Sequence, residues 1–366
     1  LVEYDKKKLF LRLIGRSFGL LSYGNEFLKQ QVMSVIQNLI AEFPSQLARA
    51  IEIGENLQVT APKHEIRHLV IAGLGGSGIG GSIVKAITTD ELRVPVDVLK
   101  SYEVPAYVNE HTLLIAASHS GNTEETLTVV ETALRRGAKI ACATTGGRLY
   151  ELAQAHGFDV AKLPLEQNCP RQYLAYLLVN QLYFLMHYGL VGPHFKAELR
   201  AGLDRVVRDN DAIKAEAKTL AAQLFGKLPF LYADNNLGAL ATRFQQQINE
   251  NAKQLAHVNI FPEMNHNELV GWHLPASTFA HSAVVYLKSS FNHPRVQVRM
   301  EVCKPIFAQL AQSIYDLELR GDSLAEQTLH FIHLTDWASL YLAELNQVDS
   351  FQIEVINHLK NELAKV

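Results

Sequence analysis

Two short apolar runs, each opening into a loop of glycines and hydroxyls, constrain this chain more than any other feature. The first lies in His68–Ile83, HLVIAGLGGSGIGGSI, and the second in Ala116–Thr126, AASHSGNTEET. Val70-Ile71-Ala72 and Leu114-Ile115-Ala116-Ala117 read as short buried strands bounded by turn signals. A helical pattern follows each loop. Backbone amides and hydroxyls gathered at a helix N-terminus form a cradle for an anion such as phosphate. Two such loops side by side at the carboxyl edge of a parallel sheet make one anion-binding crevice.

The rest of the chain continues this alternation of strand and helix. Helical spacing covers Glu26–Ala41, is interrupted at Phe43-Pro44, and resumes over Ser45–Asn56. Strands are predicted at Val94–Leu99, Leu113–Ala117, Lys139–Thr144 and Val160–Leu163. Helices are predicted at Asn122–Arg136, with Asn122 and Glu125 as a capping box, and at Arg171–Tyr188. Gly189–Pro193, GLVGP, is the best domain boundary. Beyond it the spacing predicts one helix over Ala197–Leu224, a strand at Phe230–Ala233 and a helix over Leu237–Ala256. A strand at Ala283–Leu287 and helices near Ser323–Ala343 and Phe351–Ala364 complete the pattern. Strands alternating with helices imply βαβ units and parallel, doubly wound sheets, an α/β fold.

Composition narrows the function classes. The 366 residues suffice for two domains with cores of their own, and 48% apolar with 19% charged residues is a globular composition. The formal net charge of −3 offers no basic surface for nucleic acid or an anionic membrane. No apolar run is long enough to span a bilayer. Cys142, Cys169 and Cys303 lie far apart without a CxxC pair, which fits reduced thiols in the cytoplasm. Leu1–Tyr23, rich in Lys and Arg, lacks the long uncharged core and small-residue cleavage site of a secretory signal. It reads as an irregular extension.

Gly73-Leu74-Gly75-Gly76-Ser77-Gly78 also matches the dinucleotide pattern GxGxxG. In that pattern the second strand ends in an acid that binds ribose, whereas here VPVDVLKSY carries only Asp97, in mid-strand. The second loop, Ser118-His119-Ser120-Gly121-Asn122-Thr123, offers three hydroxyls before a helix and suits one compact phosphate. A purely structural role as strand-to-helix turns stays open for both loops. Arg171 follows Cys169-Pro170 and is either a surface cation or an oxyanion stabiliser aimed into the crevice. On the helix after Phe230–Ala233, Leu237, Leu240, Phe244, Ile248 and Leu255 form the inner stripe. Glu250 lies on another face within reach of Gln246 and Lys253, where a solvated ion pair is the ordinary reading. The loop FPEMNHNELVGW over 261–272 sets Glu263, His266 and Glu268 near His273. Metal ligation is one option there, acid–base work by His266 another, and a hydrogen-bonded core histidine a third.

In order along the chain, AGLGGSG with Ser77, SHSGNT with Ser118, Ser120 and Thr123, TTGG, PR at Arg171, NENAK around Glu250 and PEMNHNE around His266 resemble one known family. It is that of the bifunctional phosphoglucose/phosphomannose isomerases of the sugar-isomerase (SIS) superfamily. The resemblance spans about residues 26–366. It implies two SIS-type, flavodoxin-like subdomains with parallel sheets flanked by helices, the first over 26–190 and the second over 191–366, after an extension at 1–25.

The resemblance also implies a reaction and its residues. Glucose 6-phosphate and fructose 6-phosphate would interconvert through a cis-enediolate, and mannose 6-phosphate would react too. Gly76, Ser77, Ser118, Ser120 and Thr123 would hold the sugar phosphate, and Glu250 would move the proton between C1 and C2. Arg171 would stabilise the enediolate, and His266 of a neighbouring subunit would help open the ring, so a homodimer is implied. Lys360, in NHLKNEL, matches a C-terminal lysine that reaches the site. The chemistry needs no metal or redox cofactor. One departure stands out: relatives carry threonine-proline shortly before that lysine, where this chain has Ile353-Glu354. Ser350 is the nearest hydroxyl that could replace the threonine in handling mannose 6-phosphate. A non-catalytic phosphosugar sensor would keep the serine loops without needing Glu250, Arg171 and His266 together.

Overall fold

The computed structural model describes residues 35–165, 169–363 and 365. The extension at 1–25 lies outside the described residues, as does most of the first predicted helix, of which residues 35–41 are helical. Pro44 stands in the first turn of α1 (Phe43–Glu55), where its missing amide costs nothing.

The first half forms a five-stranded sheet of β1 (His68–Ala72), β2 (Val96–Leu99), β3 (Thr112–Ala117), β4 (Lys139–Thr144) and β5 (Asp159–Lys162), in the order β2-β1-β3-β4-β5. All its pairings are parallel. The helices between the strands are α2 (Gly75–Ile87), α3 (Glu124–Arg135) and α4 (Gly147–His156), and α5 (Leu174–His187) follows. The helix predicted over Ala197–Leu224 is two, α6 (Phe195–Arg208) and α7 (Asn210–Leu224), because the chain turns at Asp209. A second parallel sheet follows, built from β6 (Leu228–Asp234), β7 (His257–Phe261), β8 (Ser282–Lys288) and β9 (Ser313–Glu318), in the order β7-β6-β8-β9. Its helices are α8 (Gly238–Ala252) and α9 (Pro294–Phe307); α10 (Leu324–Leu345) and α11 (Glu354–Leu363) end the chain.

Strand alternation explains the layering. Leu69, Ile71, Leu113, Ile115 and Ala117 face one way, into a core shared with Leu231, Ala233, Val285 and Leu287 of the second sheet. Apolar residues of α1, α2, α5, α7, α8 and α10 belong to this same core, so a common helical layer lies between the sheets. Val70, Ala72, Leu114, Ala116 and Cys142 face the other way, under α3 and α4. The outer face of the second sheet packs Tyr232, Tyr286, Phe261, Trp272 and Phe307 together. Two-sided burial is why the parallel strands read as continuous apolar runs.

Three local expectations change. Asn122 does not cap α3, whose N-cap is Thr123. Its Oδ1 accepts instead from the amide of Arg148 at 2.9 Å, capping the neighbouring α4. Leu255 is 75% exposed rather than part of the inner stripe, because α8 ends at Ala252. Strands β7 and β9 and helix α9 were not predicted: β7 and β9 are only half-buried along most of their length, and α9 presents apolar residues on both of its faces.

Candidate active site

The parallel register sets β1 and β3 side by side, with Ala72 opposite Ala116, so the loops that follow them are neighbours. A Cβ on Gly73 would come within 2.8 Å of the Ala117 carbonyl, a measure of how closely the two backbones pass. These are the strands between which the order of the sheet reverses, the usual position of a ligand crevice.

Helix α2 begins at Gly75 and no side chain caps it; the Ser77 amide donates to the Leu74 carbonyl at 3.0 Å, which leaves the Gly75 and Gly76 amides at the helix end. Ser77 lies in this first turn and is 7% exposed. Across from it, Ser118 Oγ and Thr123 Oγ1 are 2.9 Å apart, and Ser118 Oγ also accepts from the Gly121 amide at 3.1 Å. Ser120 Oγ accepts from the Asn122 amide at 3.2 Å. Gly121 has φ 71°, and a Cβ there would sit 1.8 Å from the Gly146 carbonyl oxygen, so this position requires glycine. Ser77 on one side and Ser118, Ser120 and Thr123 on the other thus stand at the N-termini of α2 and α3, neither of which is capped by a side chain, an arrangement that favours an anion.

Arg171 sits in a short 3-10 turn, Pro170–Gln172, rather than in a regular helix. A Cβ on Gly76 would come within 3.7 Å of Arg171 Cα, so the turn lies against the first turn of α2. The guanidinium is 7% exposed and held on two sides: Nε donates to Asn251 Oδ1 at 2.8 Å, and Nη2 donates to the carbonyls of Ser350 at 2.7 Å and Phe351 at 3.3 Å. Nη1 is left facing Glu250 Oε2 at 3.6 Å. Glu250 is 32% exposed, so the pair stands at a wall of the crevice rather than deep in the core. Glu250 is therefore not the solvated helix carboxylate that its sequence context favours.

A buried polar scaffold lies behind this pair. Asn251 Nδ2 donates to Ser339 Oγ at 2.9 Å. Arg243 pairs with Asp336 at 3.0 Å and donates to the Arg171 carbonyl at 3.0 Å, while Gln247 donates to Asp336 at 2.7 Å. Burial raises the Asp336 carboxyl, and Arg243 pulls it back. Sequence reasoning passed over Asn251 and Asp336, and it places Arg243 with Glu250 on the polar face of the helix, whereas Arg243 is buried. The available signal was Asp336 itself, a carboxylate inside the apolar run of α10, which is seldom buried without a partner. His119, between the serines of the second loop, is buried and stacks on Tyr173 with ring centroids 5.0 Å apart; burial lowers its pKa.

The remaining predicted residues lie elsewhere. His266 is exposed in a 3-10 turn, Glu263–His266, after the carboxyl end of β7. Glu250 is near the C-terminal end of α8, at the opposite end of that strand. The five residues of β7 separate them by roughly 16 Å along the strand axis. Lys360 is exposed on α11, none of whose residues is buried. Of the possible metal ligands, Glu268 is engaged within the chain by Tyr232, His257 and Asn259, and these hydrogen bonds outweigh burial to hold it down to about 2. No group of three metal-ligating side chains occurs among the described residues. Asp97, the mid-strand acid, accepts from Tyr107.

Comparison with known proteins agrees with this architecture. The SIS domain family model matches residues 64–186, and that of the bacterial phospho-glucose isomerase C-terminal SIS domain matches residues 213–363. The chain is 36% identical over 334 residues to the bifunctional phosphoglucose/phosphomannose isomerase of Caldicellulosiruptor bescii, covering 89% of this chain and 98% of that one. It is 34% identical over 300 residues to the protein of the same name from Aquifex aeolicus, covering 81% and 90%. The fold is shared with the C-terminal domain of glucosamine-fructose-6-phosphate aminotransferase from Francisella tularensis, with TM-score 0.70 at 14% identity over 87% of this chain and 98% of that one. The chain belongs to the bifunctional phosphoglucose/phosphomannose isomerase family.

Proposed function

We propose that this chain interconverts glucose 6-phosphate and fructose 6-phosphate, and also mannose 6-phosphate, by proton transfer through a cis-enediolate. The observation that carries the reading is the Arg171–Glu250 pair, 3.6 Å apart, beside two hydroxyl-rich loops at helix N-termini. Gly76, Ser77, Ser118, Ser120 and Thr123 hold the phosphate, and Gly76 lets the tail approach the backbone. Binding the tail away from the reacting carbons fixes the open chain in register, so that binding energy serves the chemical step. Glu250 removes the proton from one of C1 and C2 and returns it to the other. Arg171 faces the developing oxyanion with a charge that does not titrate. A sensor that only binds phosphosugar has no use for a carboxylate and a guanidinium held in this way.

The two SIS domains meet near Gly189–Pro193, with residues 26–190 binding the phosphate and residues 191–366 supplying Glu250. His266 opens the sugar ring from a second subunit of a homodimer. Support comes from topology: one chain carries His266 and Glu250 at opposite ends of β7, whereas a second chain can present its own His266 to the crevice. Lys360 on α11 adds a further cation to the site once that helix is packed. No described helix is long and apolar enough to cross a membrane. All three cysteines are unpaired and buried, which suits the reducing cytoplasm.

The test is a coupled assay of metal-free protein on glucose 6-phosphate and mannose 6-phosphate separately. Turnover of the first supports the reading, and the second rate measures what Ile353 in place of threonine costs. Absence of turnover on both sugars overturns it.

A further inference from the structure

Aldose–ketose interconversion has a proton requirement that Glu250 and Arg171 do not meet between them. While one proton moves between C1 and C2, a hydroxyl proton must move between O2 and O1. Glu250 is occupied with the carbon-bound proton, and a guanidinium does not exchange protons near neutral pH. We propose, resting on the isomerase reading above, that Lys253 is a further catalytic residue and carries the proton between O1 and O2 of the open-chain substrate.

Two independent features of the structure single out Lys253. The first is its backbone. It follows α8 directly with φ 54° and ψ 33°, in the left-handed region, and its amide closes the helix on the Ile248 carbonyl. Glycine or asparagine normally fills such a position, because Cβ crowds the backbone there. Among the described residues only one other non-glycine residue, Gln347, has positive φ. Side chains kept at such positions against local preference gather at functional sites.

The second feature is where this conformation sends the ammonium. Nζ turns back to donate to the Glu250 carbonyl. The Arg171 charge opposes that of the ammonium, and the Asp349 and Glu250 carboxylates favour it. Lys253 therefore shares the wall of the crevice with the proposed base and oxyanion stabiliser. The side chain is exposed at the rim of the crevice, yet desolvation of its ammonium against the protein, reinforced by the Arg171 charge, pushes its pKa down to about 8. An amine poised near the working pH both gives and takes a proton readily.

The proton balance closes. Glu250 takes the proton from C2 of the aldose, the C1–C2 double bond forms, and the C1 carbonyl electrons move to O1. Lys253 gives a proton to O1, leaving a neutral enediol and a neutral amine. The amine then takes the proton from O2 as the C2 carbonyl forms, and Glu250 returns its proton to C1. The ketose leaves with Glu250 again a carboxylate and Lys253 again an ammonium.

The experiment compares the parent with Lys253→Met, Lys253→Arg and Lys253→Gly in deuterated water. It measures C2–H exchange of glucose 6-phosphate alongside formation of fructose 6-phosphate. Without a titrating group at this position, ketose formation falls on the order of a hundredfold, while exchange, which needs only Glu250 and Arg171, falls far less. The exchange-to-isomerisation ratio therefore rises roughly tenfold or more, and the alkaline limb of kcat near pH 8 disappears. Lys253→Gly suits the left-handed backbone and reports the same ratio if the methionine variant folds poorly. A ratio unchanged from the parent in all three variants, or Lys253→Arg with parental rate and pH profile, overturns the assignment. A parent that gives neither exchange nor ketose overturns the isomerase reading, and this role with it.

Discussion

Asn251 fixes Arg171 through one bond and is itself fixed through another: it accepts from Arg171 Nε at 2.8 Å and donates to Ser339 Oγ at 2.9 Å. With Nη2 held by the Ser350 and Phe351 carbonyls, the guanidinium keeps only Nη1 turned toward Glu250. Asn251→Ala leaves a buried charged donor unpaired, at a cost of about 1–3 kcal/mol. We expect a lower urea midpoint and a kcat reduced more than KM is raised, since the two hydroxyl-rich loops proposed to hold the phosphate are untouched. A parental kcat in Asn251→Ala, with the urea midpoint lowered, would show that Arg171 holds its position without this bond.

Glu250→Gln keeps the shape of the side chain but removes the proposed base. Turnover should be abolished while sugar-phosphate binding, measured by calorimetry, stays within a few-fold of the parent. Arg171 loses the one carboxylate that pairs with it among the described residues, so binding of an anionic enediolate mimic should hold or tighten. Retained activity would move the base elsewhere, with Glu263 the first residue to examine.

Much of this site is legible in the sequence because its parts are local. A strand, a glycine-rich turn and a helix N-terminus lie within a dozen residues, so Ser77 and Ser118–Thr123 are readable without tertiary information. The scaffold is not local. Arg171 meets Asn251 across 80 positions and Ser350 across 179, and no periodicity encodes such contacts. Asn122 illustrates the same limit in miniature. Its local signal is a capping box, yet its oxygen serves the Arg148 amide 26 residues away, because two helix N-termini meet at one edge of the sheet.

Two glycines separate conformational need from space. Gly121 and Gly75 both have positive φ, 71° and 52°, but a Cβ on Gly121 would strike the Gly146 carbonyl whereas one on Gly75 meets nothing within 4 Å. Gly75→Ala should cost about 1 kcal/mol, the ordinary penalty of left-handed backbone, with little change in KM. Gly121→Ala must push the second loop off its neighbour. We expect KM for glucose 6-phosphate to rise roughly tenfold or more as hydrogen bonds to the phosphate are lost. Equal KM values in the two variants would show that the loop packing does not shape the phosphate site.

Acid should unfold this protein through α10. Burial holds His330 down to about 4 and His333 to about 3, and both ring nitrogens of His330 lie buried without hydrogen-bond partners among the described residues. His333 Nε2 meets both Trp337 Nε1 at 3.2 Å and Asn210 Oδ1 at 3.3 Å, and accepting from the tryptophan requires the neutral ring. The folded pKa values lie below the unfolded value of 6.5, so the unfolded chain binds more protons between about pH 6.5 and 4. This contribution is intact above 6.5 and is lost as pH falls, at up to about 1.4 kcal/mol per pH unit for each group. The melting temperature should drop steeply between pH 7 and 5, and less steeply in His330→Leu. An unchanged slope in that variant would place the acid lability in other residues.

The Arg243–Asp336 pair should behave as a scaffold whose halves depend on each other. Both side chains are nearly inaccessible, at 2% and 6% exposure, and the pair supports the Arg171 carbonyl. Removing one partner strands a buried charge, so Arg243→Met or Asp336→Leu alone should cost about 3–5 kcal/mol. Removing both trades an ion pair for apolar packing and should cost much less than the sum of the two single changes. Urea denaturation of the two single variants and the double variant measures this coupling directly. The double variant should also fold yet turn over slowly, because Arg171 then loses the donor on its carbonyl while the stability is largely restored. Additive losses of stability, with kcat tracking the folded fraction alone, would make the pair a packing element with no hold on the active site.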